Sequence, residues 1–346
     1  MPNGSPFHGA QHYTPAETLE YRGALLPARF AGLGDEYRAV RDGAGLFDRS
    51  DRGLLVLTGT DGKSWLGNLV TNVVGTLDDY AGNYAFALDV KGRIQFDLNI
   101  LCVPDALWLD IDRVAIPAAI AHLDRYLIAE DAQIHERSAA YARLGCSGTR
   151  AADVAAQLGV TNFAALPALA SVALGDAPAL LVRHDFTGLP GFELIVDSQA
   201  ATAWWDRVAE AGARPAGFLT LDVLRIEAGI PWLGNDIDDR VLPPETGQIE
   251  RAISHQKGCY LGQEVVERMR SHCVLARRLV RLRAEPGPPL ALPADLTKDG
   301  STVGRITSLM AHPIAPIRVG LGYLKTSATD LTGLAAGDPP QAITVR

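Results

Sequence analysis

A change in composition after Arg283 is the feature that most constrains what this chain folds into. There the sequence turns to the proline-rich segment EPGPPLALPAD, and the residues that follow read as short strands joined by glycine turns. Proline-rich segments punctuate structure, and short strands with glycine turns are typical of a small barrel or sandwich. We therefore expect a linker after Arg283 and a separate all-β unit at the C-terminal end.

Strands and helices alternate along the chain before this linker. The run LLVLTG precedes a helical pattern, NYAFALDVKGRIQFDLNILCV reads as strands joined by a Lys-Gly turn, and a second set of strands and helices follows over residues 140–215. Neither set carries the glycine fingerprint of a dinucleotide fold, and Gly62-Lys63-Ser64 lacks the spacing of a phosphate-binding loop. The pattern predicts an α+β fold in which the second set is a structural repeat of the first.

The composition excludes several classes of protein. The chain has 346 residues, of which 47% are hydrophobic, and this is enough for two or three domains with real cores. Its formal net charge is −8, which argues against a general attraction to nucleic acid. No apolar run approaches the roughly 18 residues that a membrane span needs. We expect a cytoplasmic protein that contacts neither a membrane nor nucleic acid directly.

Cysteine and acidic clusters do not predict a metal site. Cys102, Cys146, Cys259 and Cys273 include no C-x-x-C pair, which argues against a disulfide framework or a zinc ribbon and favours a reducing compartment. His255, His272 and Cys273 lie near Cys259, but their spacing matches no ligand pattern. The acidic segment GNDIDDRVLPPETG lacks the glycine and closing glutamate of a calcium loop. We predict no bound metal.

The segment HQKGCYLGQEVVERMR, residues 255–270, carries a cysteine just ahead of a predicted helix. The thiolate form of Cys259 is favoured near a helix N-terminus and beside the cation of Lys257. Glycines at 258 and 262 leave the backbone open to a partner. Cys259 and Lys257 are therefore our candidate catalytic residues. The alternative is that Cys259 is a small buried hydrophobic residue, as most cysteines are.

Glu227 is the unusual residue of a well-marked helix in FLTLDVLRIEAGIP, which Thr220 is expected to cap and Gly229 to end. A carboxylate in the last turn faces carbonyl groups that already carry negative charge. It either pairs with Arg225 or another local cation, or accepts paired N–H donors from a ligand. A pterin ring presents such a pair of donors.

Seven segments follow one another along the chain: AGLFDRSDRGLLVLTG, GNLVTN, LRIEAGIP, NDID, LPPETG, KGCYLGQEVVERM and DGSTVGRITS. Together they resemble the folate-binding YgfZ family, whose members assist iron-sulfur cluster assembly and are related to the glycine cleavage T-protein, an aminomethyltransferase. The KGCYLGQE segment looks like the signature of that family, whereas a T-protein usually has another residue at Cys259 and an arginine at Gln263. The likeness covers about two thirds of the chain and is poor over residues 134–215.

The resemblance implies three lobes around a central channel, in which tetrahydrofolate lies. Two interleaved α+β lobes of ferredoxin-like type, over residues 1–135 and 136–273, would precede a C-terminal β-barrel over residues 274–346. Glu227 matches the glutamate that similar proteins use to hold the pterin. The expected folate contacts are Glu227, Asp97, Tyr260 and Gln263.

The same resemblance implies a function. T-proteins carry adjacent aspartates in the strand where this chain has Phe96 and Asp97, and the loss of one carboxylate speaks against aminomethyl transfer. We therefore expect a tetrahydrofolate-binding protein that assists iron-sulfur cluster assembly or repair, with client or assembly proteins as partners and an indirect effect on tRNA modification. The alternatives are a folate-dependent aminomethyltransferase or related one-carbon transferase, and a folate-binding adaptor in which Cys259 is structural.

Overall fold

The computed structural model describes residues 4–175, 179–272 and 275–346. The strands of these ranges are β1 (Glu17–Tyr21), β2 (Ala24–Arg29), β3 (Gly45–Asp48), β4 (Arg52–Thr58), β5 (Gly82–Leu88), β6 (Ile94–Val103), β7 (Ala106–Asp112), β8 (Gln133–Glu136), β9 (Tyr141–Ser147), β10 (Ser171–Leu174), β11 (Ala179–Arg183), β12 (Gly191–Asp197), β13 (Arg214–Pro215), β14 (Arg277–Ala284), β15 (Ala294–Lys298), β16 (Ser301–Ala311), β17 (Arg318–Lys325), β18 (Leu334–Ala336) and β19 (Gln341–Val345). The helices are α1 (Leu33–Asp42), α2 (Gly62–Gly67), α3 (Ile116–Asp124), α4 (Ala151–Gln157), α5 (Ala201–Glu210), α6 (Phe218–Ala228), α7 (Ile249–Ala252) and α8 (Gln263–His272).

The chain divides into two compact units, each built from three separate stretches of sequence. The first unit contains Met1–Ala87, Phe96–Leu221 and Arg251–Tyr260, and the second contains Leu88–Gln95, Asp222–Glu250 and Leu261–Arg346. The boundaries near residues 135 and 273 that the resemblance implies stay a prediction.

A six-stranded sheet forms one layer of the first unit, in the order β10, β11, β12, β9, β3, β13. Along β9, Ala142, Leu144 and Cys146 point into a hydrophobic core that also contains Trp205 of α5. Because side chains alternate along a strand, Arg143 points to the opposite face of the sheet. The apolar face of this sheet therefore holds the core and leaves the other face to polar residues.

A five-stranded sheet forms a second layer of the first unit, in the order β5, β6, β7, β4, β8. In β6, Phe96 packs edge-on against the His122 ring of α3, with the ring centroids 5.7 Å apart. Asp97 and Asn99 occupy alternate positions and lie on the other face. This sheet also divides its residues into an apolar face under α3 and a polar face.

The second unit is organised around a closed barrel whose strands follow the order β14, β17, β16, β15, β18, β19. Leu282, Leu296, Ile306, Leu324 and Ile343 fill its interior. Arg281 and Arg283 of β14 are exposed, as expected for positions that alternate with buried Leu282 and Ala284. The predicted α+β class and the predicted C-terminal β-barrel are confirmed. The proline-rich segment after Arg283 does not precede the barrel, however, because it joins β14 to β15 within it.

Helix α6 begins differently from the sequence-based expectation. Its first residue is Phe218, and Thr220, the expected cap, lies inside the first turn. The carboxylate of Glu36 in α1 instead accepts the Gly217 N–H at 2.9 Å and the Thr220 hydroxyl at 2.6 Å. A carboxylate supplied by another helix therefore lies at the positive end of α6 and takes the place of a local cap. Gly229 ends the helix at φ 77°, as predicted.

Candidate functional site

Asp97 is a buried carboxylate with one oxygen held in place and one that has no donor within the described part of the chain. The Tyr84 hydroxyl of β5 donates to Asp97 Oδ2 at 2.8 Å. Among the described residues, no donor is hydrogen-bonded to Asp97 Oδ1, although this atom is buried. Burial and the charge of Asp97 raise the pKa of Tyr84 well above its usual value, so its hydroxyl remains a donor at neutral pH. A buried acceptor without a donor fits a ligand that brings an N–H group.

The polar faces of the two sheets meet in an ionic layer, which we define as Arg49, Asp51, Arg52, Asp110, Arg143 and Glu193. Arg52 Nε lies 2.8 Å from Asp110 Oδ1 within the five-stranded sheet, and Arg143 of the six-stranded sheet pairs with the same carboxylate. Burial raises the pKa of Asp110, but Arg143 and Arg52 outweigh it and hold this pKa far below its usual range. Asn99, two residues beyond Asp97, donates to Asp110 Oδ2 at 2.7 Å.

Glu193 of β12 completes the ionic layer. Its carboxylate accepts a hydrogen bond from Arg49 Nη1 at 2.8 Å and lies 2.8 Å from His184 Nδ1. Burial again opposes ionisation, but the neighbouring Arg49 and His184 lower the pKa of Glu193 to about 2. The layer is therefore charged at neutral pH, and each of its buried carboxylates has a cationic partner.

A cavity of about 510 Å³ opens beside Tyr84 in the first unit. Leu169 and the ring of Tyr84 give it an apolar part, and His184 and Arg251 contribute polar groups. The Arg251 guanidinium lies over the Tyr84 ring, 4.1 Å from the ring centroid. A concave site of this volume with a few convergent polar groups is suited to a small-molecule ligand.

Phe96 does not remove a carboxylate from the face on which Asp97 lies. Neighbouring residues of a strand point to opposite faces, and Phe96 is fully buried against His122 of α3. Of these two residues, Asp97 is the one that lies on the polar face with Tyr84 and the ionic layer. Position 96 therefore faces α3 and not the Asp97 site, so Phe96 gives no argument against aminomethyl transfer at that site.

Glu227 lies in the last turn of α6 and pairs with a histidine of the second unit. His312 Nε2, in the loop after β16, is 3.2 Å from Glu227 Oε1, and both side chains are about nine-tenths buried. Arg281 of β14 donates to the Glu227 carbonyl at 3.2 Å, which places a cation at the negative end of the helix. The expected pairing with Arg225 is not the one observed.

Arg225 is instead the centre of a buried network in the second unit. Its guanidinium pairs with Asp222 at 2.7 Å and with Asp236, and it donates to the Ser308 hydroxyl of β16 at 2.8 Å. The Trp232 ring lies 4.6 Å from its Cζ atom. Because Arg225 and Glu227 share the last turns of α6, this network fixes the backbone from which Glu227 projects.

The ammonium group of Lys257 is hydrogen-bonded to backbone carbonyls. Its ammonium donates to the Gly67 carbonyl and, at 2.6 Å, to the Val70 carbonyl. It also lies 4.9 Å from the centroid of the Tyr260 ring. Burial lowers the pKa of Lys257 to about 8, while the two carbonyl acceptors favour the charged form. Its predicted catalytic role stays a prediction.

Cys259 is exposed, and the two glycines beside it differ in what they do. A Cβ at Gly258 would meet no atom within 4 Å, so the backbone there is open. Gly262 has φ +80°, and a Cβ on it would lie 2.5 Å from the Asp89 carbonyl oxygen. Gly262 therefore serves the close approach of the turn between β5 and β6, whereas Gly258 alone leaves room for a partner.

The remaining predicted folate contacts fall in different units. Tyr260 is buried in the first unit beneath the Lys257 ammonium. Gln263 is the first residue of α8 in the second unit and is half-buried. The folate contacts assigned to Tyr260, Gln263, Glu227 and Asp97 stay predictions.

The acidic segment after α6 serves the arginine network. Asp236 accepts the hydroxyls of Ser308 at 2.7 Å and of Thr307, besides pairing with Arg225. Across the described ranges, the structure holds no group of three histidine, cysteine or acidic residues placed to bind a metal. Cys273, one of the cysteines weighed as a ligand, lies outside the described residues.

Sequence reasoning missed Tyr84, His312 and the ionic layer. Tyr84 stands in an ordinary strand pattern, and only the fold shows that it reaches Asp97. His312 lies 85 positions after its partner Glu227, in a loop with no motif of its own. The one available signal was the set of charged residues at alternate positions of β7, in ALWLDID, where a buried strand is expected to be apolar.

The family model for the GCVT N-terminal domain matches residues 7–257, which is more than two thirds of the chain. The protein therefore belongs to this family. Among its relatives, an aminomethyltransferase of Rubrobacter xylanophilus is 27% identical over 328 residues, with 92% of this chain and 86% of the relative covered. An aminomethyltransferase of a Geobacillus species is 28% identical over 325 residues, covering 91% and 88% of the two chains.

A solved structure shares the fold. The crystal structure of glycine cleavage system aminomethyltransferase T from Bartonella henselae superposes with a TM-score of 0.89 and 20% identity, covering 100% of this chain and 97% of that one. Members of the aminomethyltransferase family use tetrahydrofolate as substrate or cofactor, so the predicted folate is confirmed at the level of the family.

The expected role in iron-sulfur cluster assembly is wrong. The relatives that align with about nine tenths of this chain are aminomethyltransferases, and the solved structure with the same fold is a T-protein. The expectation rested on KGCYLGQE and on Phe96, and the second of these loses its force because Phe96 faces the core. Cluster-assembly clients and an effect on tRNA modification lose their support with it.

No helix in the described ranges combines the length and the apolar character that crossing a bilayer requires.

Proposed function

We propose that this protein is a folate-dependent aminomethyltransferase. The observation that carries the proposal is Asp97, a buried carboxylate with one oxygen held by Tyr84 and the other without a donor among the described residues. Membership of the GCVT family and alignment with aminomethyltransferases over about nine tenths of the chain support it. The same support favours tetrahydrofolate as the acceptor of the one-carbon unit.

Asp97 is suited to charge stabilisation and proton transfer during this reaction. Tetrahydrofolate supplies amine nitrogens that accept a one-carbon unit. A buried carboxylate beside such nitrogens stabilises positive charge and exchanges a proton with them. The Tyr84 hydroxyl orients the carboxylate through Oδ2, which leaves Oδ1 for the substrate. Burial strengthens both effects because the surroundings screen charge less than water does.

Glu227 is the proposed anchor of the pterin ring. A pterin presents a ring N–H beside an exocyclic amino group, and one carboxylate accepts both in a fork, as it accepts a guanidinium. The Glu227 side chain is 11% exposed and projects from a helix end that Arg281 and the Arg225 network hold in place. Its carboxylate is therefore fixed before a ligand arrives, which reduces the entropic cost of binding.

The test is aminomethyl transfer from a lipoyl carrier protein to tetrahydrofolate by the purified protein and two variants. We expect Asp97→Asn to lower the rate by about 10²-fold, because it removes the charge and the proton acceptor but keeps the size. Tyr84→Phe removes only the donor to Oδ2 and is expected to lower the rate about tenfold.

A matched control is Asp78→Asn, which makes the same chemical change at an exposed position. Its rate is expected to equal that of the unmodified protein. Turnover by Asp97→Asn at the unmodified rate would show that Asp97 takes no part in transfer. Absence of transfer by the unmodified protein, with folded protein and active carrier, would contradict the proposed function itself.

Within the family, KGCYLGQE is the segment that resembles the YgfZ type, and we place the chain in that subgroup as a proposal. Cys259 is the residue that separates this subgroup from ordinary T-proteins, and we propose it as a reactive group. A cytoplasmic location is part of the same proposal. The transfer rate of Cys259→Ser tests the role of the thiol, since an unchanged rate would remove Cys259 from the reaction.

A further inference from the structure

His312 contacts the carboxylate of Glu227 and is itself held by its own loop. The ring of His312 is enclosed by its own loop, in which its Nδ1 atom accepts the N–H groups of Ile314 at 3.2 Å and Ala315 at 3.0 Å. A ring nitrogen that accepts two N–H groups cannot carry a proton itself. The ring proton therefore belongs to Nε2, the atom that lies 3.2 Å from Glu227 Oε1.

From this geometry we infer that His312 is a positioning residue for the folate site: in its Nε2–H tautomer, it donates to Glu227 Oε1 and orients the carboxylate toward the pterin. The inference rests on the proposed function, because it takes tetrahydrofolate as the ligand of Glu227. It adds a residue in a loop of the C-terminal barrel, outside the sequence segments that the family model matches.

The surroundings explain why a histidine is needed for this contact. Glu227 lies in the last turn of α6, where the Arg281 and Arg225 contacts hold the main chain, and its carboxylate lies against His312. A donor held rigidly by a loop selects one rotamer of the carboxylate. The His312 main chain is itself held, since its N–H donates to the Ile317 carbonyl at 2.9 Å.

Two substitutions of His312 separate this role from a purely structural one. The amide nitrogen of a glutamine reaches the place of Nε2, so His312→Gln keeps a donor for Glu227 and loses the acceptor for the loop. An asparagine places its polar group near Nδ1, so His312→Asn keeps the loop acceptor and loses the donor. The two roles therefore predict opposite rank orders for the two variants.

The measurement is tetrahydrofolate titration of the full-length protein. We expect His312→Asn to raise the Kd about tenfold and His312→Gln to stay within about threefold of the unmodified protein, since one hydrogen bond to a charged group is at stake. In a Glu227→Gln background, which itself weakens binding, His312→Asn should add no further loss. The inference would be overturned if His312→Gln raised the Kd more than His312→Asn did. It would also be overturned if His312→Asn raised the Kd by the same factor in the Glu227→Gln background as in the unmodified protein.

A spectroscopic measurement without folate keeps the inference separate from the proposed function. Two-bond proton–nitrogen correlations should show His312 in the Nε2–H form, and its Hε2 resonance should shift in Glu227→Gln. An Nδ1–H form, or no shift, would contradict the pairing whatever the titration shows. If the unmodified protein does not bind tetrahydrofolate at all, the proposed function and the role of His312 toward that ligand both fail, while the spectrum still decides the pairing.

Discussion

At the scale of single residues, the clearest case is a lysine whose charge is already committed. Lys257 was selected from the sequence as a cation that would activate Cys259, yet its ammonium is bound by two carbonyls and the Tyr260 ring. A cation that is satisfied in this way stabilises the fold locally and has less effect on a neighbouring thiol. Proximity in sequence did not predict the partners of Lys257, because a long side chain reaches hydrogen-bond acceptors in other segments of the chain.

The titration of Lys257 is expected to appear in the pH dependence of stability. Its pKa is lowered from 10.5 to about 8 in the folded chain. Between these values the unfolded chain binds more protons than the folded chain, so the free energy of unfolding rises with pH across this window. Compared with Lys257→Met, the unmodified protein should gain stability from about pH 8 to 10.5 and show a constant difference below pH 8. Chemical denaturation at several pH values measures this; a flat difference throughout would contradict the lowered pKa.

Cys259 is expected to react as an exposed thiol. Cys102 and Cys146 are buried, and burial raises the pKa of Cys146 far above its usual value. With Cys273 replaced by serine, an alkylating reagent should label Cys259 alone while the protein is folded. Cys259→Ala should change the free energy of unfolding by no more than about 0.5 kcal/mol. Labelling of Cys102 or Cys146 at a similar rate would contradict their burial, and a large loss of stability in Cys259→Ala would show that the Cys259 thiol is not a surface group.

At the scale of structural elements, the ionic layer joins the two sheets of the first unit. Arg143 of β9 pairs with Asp110 of β7, and Arg49, between β3 and β4, pairs with Glu193 of β12. Removing one partner of a buried pair leaves the other charge uncompensated, which typically costs about 3–5 kcal/mol. The sheets are therefore held in a defined alignment on their polar faces, where apolar contacts alone would allow sliding.

Acid should weaken this layer in a predictable window. The pKa of Glu193 is lowered from 4.5 to about 2 in the folded chain. A lowered pKa gives stability that is complete above pH 4.5 and is lost as the pH falls through about 2. The stability advantage of the unmodified protein over Glu193→Gln should therefore shrink as the pH falls through this range. Glu210→Gln, at an exposed position of α5, is the matched control for the same chemical change outside the ionic layer. An advantage that is constant down to pH 2 would contradict the lowered pKa of Glu193.

At the scale of the whole molecule, local sequence patterns predicted more of the fold than of the candidate site. The glycine turns after the proline-rich segment predicted the barrel, because the turn geometry is encoded in adjacent residues. The helix end at Gly229 was predicted for the same reason. In contrast, the Glu36 cap on α6, the Arg143–Asp110 pair and the His312–Glu227 pair join residues far apart in sequence. No local pattern encodes such contacts, and Phe96 was misjudged because its orientation depends on which sheet face α3 covers.

The division into two units has a consequence for how the chain is made. The chain passes from one unit to the other at residues 87, 95, 221, 250 and 260, so neither unit is a continuous stretch of sequence. During synthesis, the first unit lacks the segment Arg251–Tyr260 until most of the protein has left the ribosome. The second unit is complete only after the strands of its barrel have been synthesised. A gene fragment that ends at residue 221 would therefore encode no complete unit. No single continuous gene segment that encodes one unit alone could be transferred to another gene.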